Sequence, residues 1–287
     1  MLEQKVAIVT GSSSGIGLET SLELARNGFY TYASMRDLGK SIKIKEIAKN
    51  QNLPLRVIQL DVNDENSVTE AIDTVSKEKN RIDVLVNNAG YGIFGSLEDL
   101  TIEEMKNQFE TNYFGIVRVT KKVLPIMRRL DDSKRTIVNI SSVGGCIGAP
   151  ILSAYQSTKF ALEGLSESLY YELQPLGIRV VIIEPGFIQT NIMNSSILAK
   201  SGSNPESPYF QLTQTIEKYF RSMVNNDSNA TPASHVANTI IEAVTADAPD
   251  LRYPVGNDAK TILEARKKLN DREFVTLIKN QLLTHQP

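Results

Sequence analysis

Short apolar runs recur along the chain, separated by longer stretches in which apolar positions return every third or fourth residue. Val6-Ala7-Ile8-Val9 reads as a buried strand, and Gly17 to Asn27 as a helix ended by Gly28. The pattern repeats: strands over Phe29–Ser34, Leu55–Leu60 and Ile82–Val86, helices over Ile42–Lys49 and Ser67–Lys79. Val68, Ala71, Ile72 and Val75 fall on one face of the latter helix. Helical spacing continues over Ile102–Phe109 and Phe114–Arg129. Strands over Thr136–Ile140 and Ile178–Ile183 flank a helix that carries Tyr155, and Leu251–Val255 closes the series. Strands apolar on both faces and spaced by helices predict an α/β fold, a doubly wound parallel sheet with helices on both faces. No linker or repeat interrupts residues 1–287, so one domain is expected.

The rhythm breaks at residues 191–231. Ser201 to Pro208 is too rich in Ser, Gly, Asn and Pro for a regular element. Tyr209–Val224 has helical spacing, and Thr231-Pro232 is expected to start another helix, with Thr231 as cap and Pro232 at the first position. A late insertion in such a sheet lies over the strand ends, so this segment is read as a substrate lid.

Composition narrows the classes. Hydrophobic residues make up 41% of 287, enough for a sizeable core, and a formal charge of −2 with dispersed lysines gives no basis for a nucleic-acid partner. No apolar stretch approaches the roughly 20 residues that span a bilayer. One cysteine permits no internal disulfide and fits a reducing, cytoplasmic setting. The two histidines, His235 and His285, lack ligand partners at metal spacing, so no metal is expected.

Thr10-Gly11-Ser12-Ser13-Ser14-Gly15-Ile16-Gly17 joins the first strand to the first helix. Gly11 suits a tight turn, Gly15 a close approach to phosphate, and Gly17 contact between helix and sheet. Backbone N–H groups from Ser13 and Ser14 to Ile16 would then face a pyrophosphate. After the second strand comes Ser34-Met35-Arg36-Asp37, where a ribose-binding dinucleotide site carries an acid. Met35 takes the acidic position and Arg36 stands beside it, which suits a 2′-phosphate and favours NADP(H), with NAD(H) the alternative. Asp37 is placed to pair with Arg36 or face the ribose. Asp61 is placed for an adenine amino group or for a turn.

TGSSSGIG, Asp61-Val62, Asn87-Asn88-Ala89-Gly90, Asn112, Ser142 with Tyr155-x-x-x-Lys159, and Pro185-Gly186 together resemble the classical short-chain dehydrogenase/reductase family, through Thr190. SVGGCIGAP, SMRD and Arg252-Tyr253-Pro254-Val255-Gly256 are similar to its 17β-hydroxysteroid and retinol dehydrogenase branch. The resemblance implies a Rossmann-type fold and a nicotinamide-dependent alcohol/carbonyl interconversion. By resemblance, Tyr155 is the proton donor in reduction, Lys159 binds the nicotinamide ribose, Ser142 rather than Ser141 holds the substrate oxygen, and Asn112 supports a relay water. Val62, Asn88, Ala89, Gly90, Pro185, Gly186, Ile188 and Thr190 join the cofactor set on the same ground, and a homodimer or homotetramer on the long helices is implied. Physically, a tyrosine of ordinary pKa about 10 needs a nearby cation to ionise near neutrality, and Lys159 is one helical turn away.

Ile93, Val143, Cys146, Ala149, Leu152 and Phe187, with Tyr209 and Phe210 of the lid, are expected to line the substrate pocket. The set is apolar, so a hydrophobic alcohol, ketone or aldehyde is the expected substrate: steroid-, retinoid-, fatty- or aromatic-like. Two alternatives stand beside it: a sugar, polyol or acyl specificity in the same family, and a nucleotide sensor without turnover. The amphipathic Ile262–Leu283 is suited to packing on the domain, covering the pocket or meeting a lipid surface.

Overall fold

The computed structural model describes residues 4–130, 134–190, 196–225 and 230–283. Residues 191–195 and 226–229 of the expected lid, and His285, lie outside the described residues. Seven strands form the main sheet: β1 (Val6–Val9), β2 (Tyr30–Met35), β3 (Leu55–Gln59), β4 (Val84–Asn87), β5 (Arg135–Ile140), β6 (Ile178–Pro185) and β7 (Arg252–Val255). Their order is β3-β2-β1-β4-β5-β6-β7, and every neighbouring pair is parallel.

Both faces of the sheet are covered, as the apolar runs require. Val6 and Ile8 point to one side, with Val68, Ile72 and Val75 of helix α3 (Glu65–Lys79) and Val119 and Val123 of α5 (Gly115–Met127). Ala7 and Val9 point to the other, with Leu24 of α1 (Gly15–Arg26) and Val236 and Ile240 of α8 (Ala233–Thr245). The alternation within β1 is the period-two pleat of a strand. Because β1 lies between β2 and β4, the chain reverses its winding there. The crevice beyond the carboxyl ends of β1 and β4 is the place where open α/β sheets take ligands.

Several boundaries differ from the sequence pattern for local reasons. Helix α3 starts two residues earlier than expected because Asp64 caps it, accepting from the backbone of Asn66 and Ser67 at 2.8 and 3.3 Å. The helix ending at Phe109, α4 (Ile102–Phe109), does not stop before α5; a π-helical turn, Glu110–Phe114, makes the two continuous. Pro232, not Thr231, is the N-cap of α8, because Thr231 and Pro232 instead pair with Ile188 and Gln189.

In the insertion, Ile197–Leu198 pairs with Ile93–Phe94, and α7 (Phe210–Asn225) occupies nearly the predicted helix. The C-terminal amphipathic stretch is two helices, α9 (Asn257–Lys268) and α10 (Asp271–Leu283). Asn270 and Glu273 begin the second by reciprocal side-chain-to-backbone bonds, both 3.0 Å. No helix among the described residues is long and apolar enough to cross a membrane.

Candidate active site

The turn after β1 is built around glycine. Gly11 has φ +70°, and a Cβ on Gly17 would meet the Gly11 carbonyl oxygen at 2.3 Å. The turn is also stitched to β4: Asn88 donates Nδ2 to the carbonyls of Thr10 and Gly11 at 2.9 and 3.1 Å. Thr10 Oγ1 accepts from the backbone of Asn88 and Ala89, both at 3.0 Å. Thus Asn88 shapes the glycine turn with its side chain. Ser14, the N-cap of α1, makes no side-chain capping bond. The first-turn N–H groups therefore have no capping acceptor from Ser14 and, with Ser13 half-buried beside them, suit a bound pyrophosphate.

At the far end of this crevice Met35 is buried at the end of β2 and Arg36 is exposed. The Asp37 carboxylate accepts from Gly39 N at 2.9 Å and caps a 3-10 turn, Leu38–Ser41. Asp61 likewise closes a turn, accepting from Asn63 N at 3.0 Å. Val62 puts its side chain in the core, and its carbonyl accepts from the Arg118 guanidinium.

The chemical end lies between β5 and α6 (Ser153–Leu173). Ser142 sits in extended backbone just past β5, accepts from Gly144 N at 3.0 Å and hydrogen-bonds the side chain of Tyr155. Lys159 donates Nζ to the Ile140 carbonyl at 2.7 Å and stands 5.8 Å from the centre of the Tyr155 ring. The structure changes the electrostatic expectation for this pair. Burial raises the phenol's pKa above its ordinary value, and the opposing influence is the bond to Ser142. Burial also pulls the Lys159 ammonium down to about 8, against the opposite pull of Glu163. Burial therefore moves the two proton affinities apart: the phenol holds its proton more tightly and the ammonium more weakly than either does in water.

Asn112 is carried inward by the π-helical turn and is fully buried. Its Oδ1 accepts from Tyr91 N at 3.1 Å, while Nδ2 donates to Tyr91 O at 2.9 Å and Thr158 Oγ1 at 3.2 Å. It ties the loop after Gly90 to the helix of Tyr155 and Lys159. Asn87, one strand inward, braces the sheet by donating to Thr120 and Asn139.

Pro185, Gly186, Ile188 and Thr190 border the same cavity, and Thr190 abuts the glycine turn where a Gly15 Cβ would meet it at 3.2 Å. Phe187 N donates to Asp258 Oδ2 at 2.6 Å, so the start of α9 anchors this turn.

Ser142, Tyr155 and Lys159 open on a cavity of about 1010 Å³. Val143, Ala149, Leu152 and Phe187 line it. Four expected lining residues do not. Ile93 alternates away from Phe94 and packs with Leu100, Ala154 and Ala199. Cys146 turns its thiol to Glu184, donating at 3.2 Å, and burial foremost pushes its pKa up to about 12. Tyr209 bonds Glu98 outside the cavity, and Phe210 starts α7 without reaching it.

The face that α7 turns inward carries Tyr219, Phe220, Met223 and Val224 instead, and the Phe187 ring meets Tyr219 and Phe220 at 6.4 and 5.4 Å. Thr261, Ile262 and Ala265 of α9, and Ile278 and Leu282 of α10, complete the wall. Their helical spacing was visible in the sequence, where covering the pocket was one of three readings; the structure places them on the cavity.

A family model described as short chain dehydrogenase matches residues 5–200. The chain is 39% identical over 288 residues to the uncharacterized oxidoreductase YusZ of Bacillus subtilis, covering 99% of this chain and 100% of that protein. It is 37% identical over 261 residues to human retinol dehydrogenase 8, covering 86% and 80% respectively. The fold superposes on a crystal structure of a short-chain dehydrogenase from Streptomyces avermitilis with a TM-score of 0.82, at 30% identity and covering 99% of this chain and 98% of that one.

Proposed function

The chain belongs to the short-chain dehydrogenase family, and from that premise we propose that it is an NADP(H)-dependent reductase of hydrophobic ketones or aldehydes. The observation that carries the reading is the opening of the Ser142–Tyr155–Lys159 group on a large cavity walled mainly by aliphatic and aromatic side chains. The likeness to retinol dehydrogenase 8 supports a hydrophobic substrate. Arg36 supports the phosphorylated cofactor. It is exposed, while the neighbouring carboxylate of Asp37 is spent on its own turn.

Gly11, Ser13, Ser14, Ile16 and Gly17 would hold the pyrophosphate, Arg36 the 2′-phosphate, and Asp61 and Val62 the adenine side. Asn88, Ala89, Gly90, Lys159, Pro185, Gly186, Ile188 and Thr190 would hold the nicotinamide half. Bound NADPH supplies the hydride that reduces the carbonyl carbon. Tyr155 gives its phenolic proton to the carbonyl oxygen, and the Ser142 hydroxyl orients that oxygen. Lys159, charged, steadies the phenolate that remains. Asn112 holds Tyr91 and, through Thr158, the helix beneath Tyr155. Self-association belongs to the same proposal: Phe160 of α6 is 48% exposed, Tyr171 71%, and Phe114 48%. Leu162 and Leu169, also apolar on α6, face the core instead.

The test is NADPH consumption with a panel of long-chain, aromatic and polycyclic carbonyls. Tyr155→Phe is expected to lower kcat by about 10²- to 10⁴-fold while leaving NADPH affinity intact. Tight NADPH binding by the wild type without turnover of any carbonyl would identify a nucleotide sensor and overturn the proposal.

A further inference from the structure

Glu163 has no part in the chemistry above, yet it follows Lys159 on α6 by the same four residues that separate Lys159 from Tyr155. The three side chains therefore share one helix face. Glu163 is only 6% exposed, and a carboxylate buried that far is costly unless it is paired. Its partner is Arg252 of β7, which donates Nε and Nη2 to Glu163 Oε2 at 3.1 and 3.0 Å. Glu163 also lies beneath the loop of Ser142, since a Cβ on Gly145 would come within 2.9 Å of its Cγ. Its second oxygen, Oε1, is buried without a hydrogen-bond partner among the described residues.

Arg252 does not cancel this acid. The same guanidinium bonds Glu167 at 2.7 Å and reaches Glu184 of β6 at 3.5 Å, so three carboxylates share one cation. Glu184 is held above the ordinary carboxylate range by burial first and by Glu163 next. By formal charge, the cluster of three carboxylates and one guanidinium is net negative. The groups facing it are Lys159 and Glu167 on α6, Glu184 on β6, Arg252 on β7, the Cys146 thiol and, acting on Glu184, Lys267 of α9. Tyr155 faces Lys159 from the other side.

We propose that Glu163 is a positioning residue for the carbonyl chemistry: held by Arg252 between the Ser142 loop and β6, its carboxylate keeps the buried Lys159 charged. The inference rests on the roles given to Tyr155 and Lys159 above. Its physical basis is that Lys159 is buried, and burial makes an ammonium shed its proton easily. Glu163 is the neighbouring charge that opposes the loss. Arg252, in the Arg-Tyr-Pro-Val-Gly stretch that the sequence left without a role, anchors that charge from the last strand.

The decisive experiment reads Lys159 directly. In the full chain labelled with ¹³Cε-lysine, its signal is identified by loss in Lys159→Met and followed by NMR from about pH 6 to about pH 11. The wild-type midpoint is expected near 8. In Glu163→Gln it is expected to fall by about one pH unit. Glu184→Gln, which removes a carboxylate from the same cluster but not from beside Lys159, leaves it in place. Glu163→Asp, with the charge drawn back by one methylene, gives an intermediate midpoint.

A midpoint unmoved in Glu163→Gln, or moved equally by Glu184→Gln, overturns the proposal. If the glutamine chain does not fold, an aspartate midpoint equal to the wild type's does so. Turnover gives a second readout with decanal and NADPH. For Glu163→Gln, kcat/KM falls about tenfold above both midpoints and changes little near pH 6. An equal loss at every pH marks a purely structural role and overturns the proposal. Failure of the wild type to reduce any carbonyl sinks the functional reading instead, while the lysine titration still decides Glu163.

Discussion

Arg36 and Met35 show how much one residue decides. Their positions at and just after the end of β2 were legible, because that end can be read from the local apolar run. The structure adds the state of Asp37, whose carboxylate caps its own turn. Arg36→Ala is accordingly expected to weaken NADPH binding roughly 10- to 100-fold while sparing NADH, as loss of charge-assisted bonds to a phosphate would. Fluorescence titration with both nucleotides measures this, and equal weakening of the two would contradict the assignment. Cys146 marks the opposite case. Its neighbours in the chain placed it beside the pocket, but just past a 3-10 turn, Val143–Gly145, its thiol faces Glu184, while Ile147 lines the cavity. Nothing local in the sequence signals that orientation.

Among the elements, the place of the glycine turn was legible, though the helix after it starts at Gly15 and not Gly17, and the π-helical turn was not. Gly17 is required by contact with the Gly11 carbonyl, within the same eight residues, and also with Asn88 Nδ2, which a Cβ would meet at 2.4 Å. Gly17→Ala is expected to cost about 1–3 kcal/mol of stability and to abolish tight nucleotide binding. Urea denaturation and NADPH titration would measure both, and an unchanged Cm would show that the turn yields. The turn at Glu110–Phe114 instead adds a residue to a helix whose polar and apolar periodicity predicts only a break. Its cause is tertiary: Asn112 reaches Tyr91 and Thr158, which lie in two other segments. Such a bulge in a helix is a common device for aiming a side chain at a functional site.

The whole molecule encloses the cavity with residues far apart in the chain. Helices α7, α9 and α10 close it over the strand ends, which makes the C-terminal segment part of the substrate wall. Ile278→Ala and Leu282→Ala are each expected to raise KM for a long-chain carbonyl roughly tenfold while leaving NADPH affinity unchanged. Steady-state kinetics with carbonyls of increasing chain length would check this, and an effect on short and long substrates alike would place these side chains outside the wall. The sequence by itself determined the parallel sheet, the nucleotide turn and the Tyr155–Lys159 pair. Each of these depends on hydrophobic period or on spacing within one strand–turn–helix unit, where chain neighbours are also neighbours in space. Only the tertiary structure decided which face of α7 looks inward, where α10 packs, and that Glu163 of α6 meets Arg252 of β7. Those contacts join segments whose separation along the chain carries no geometric information until the sheet is assembled.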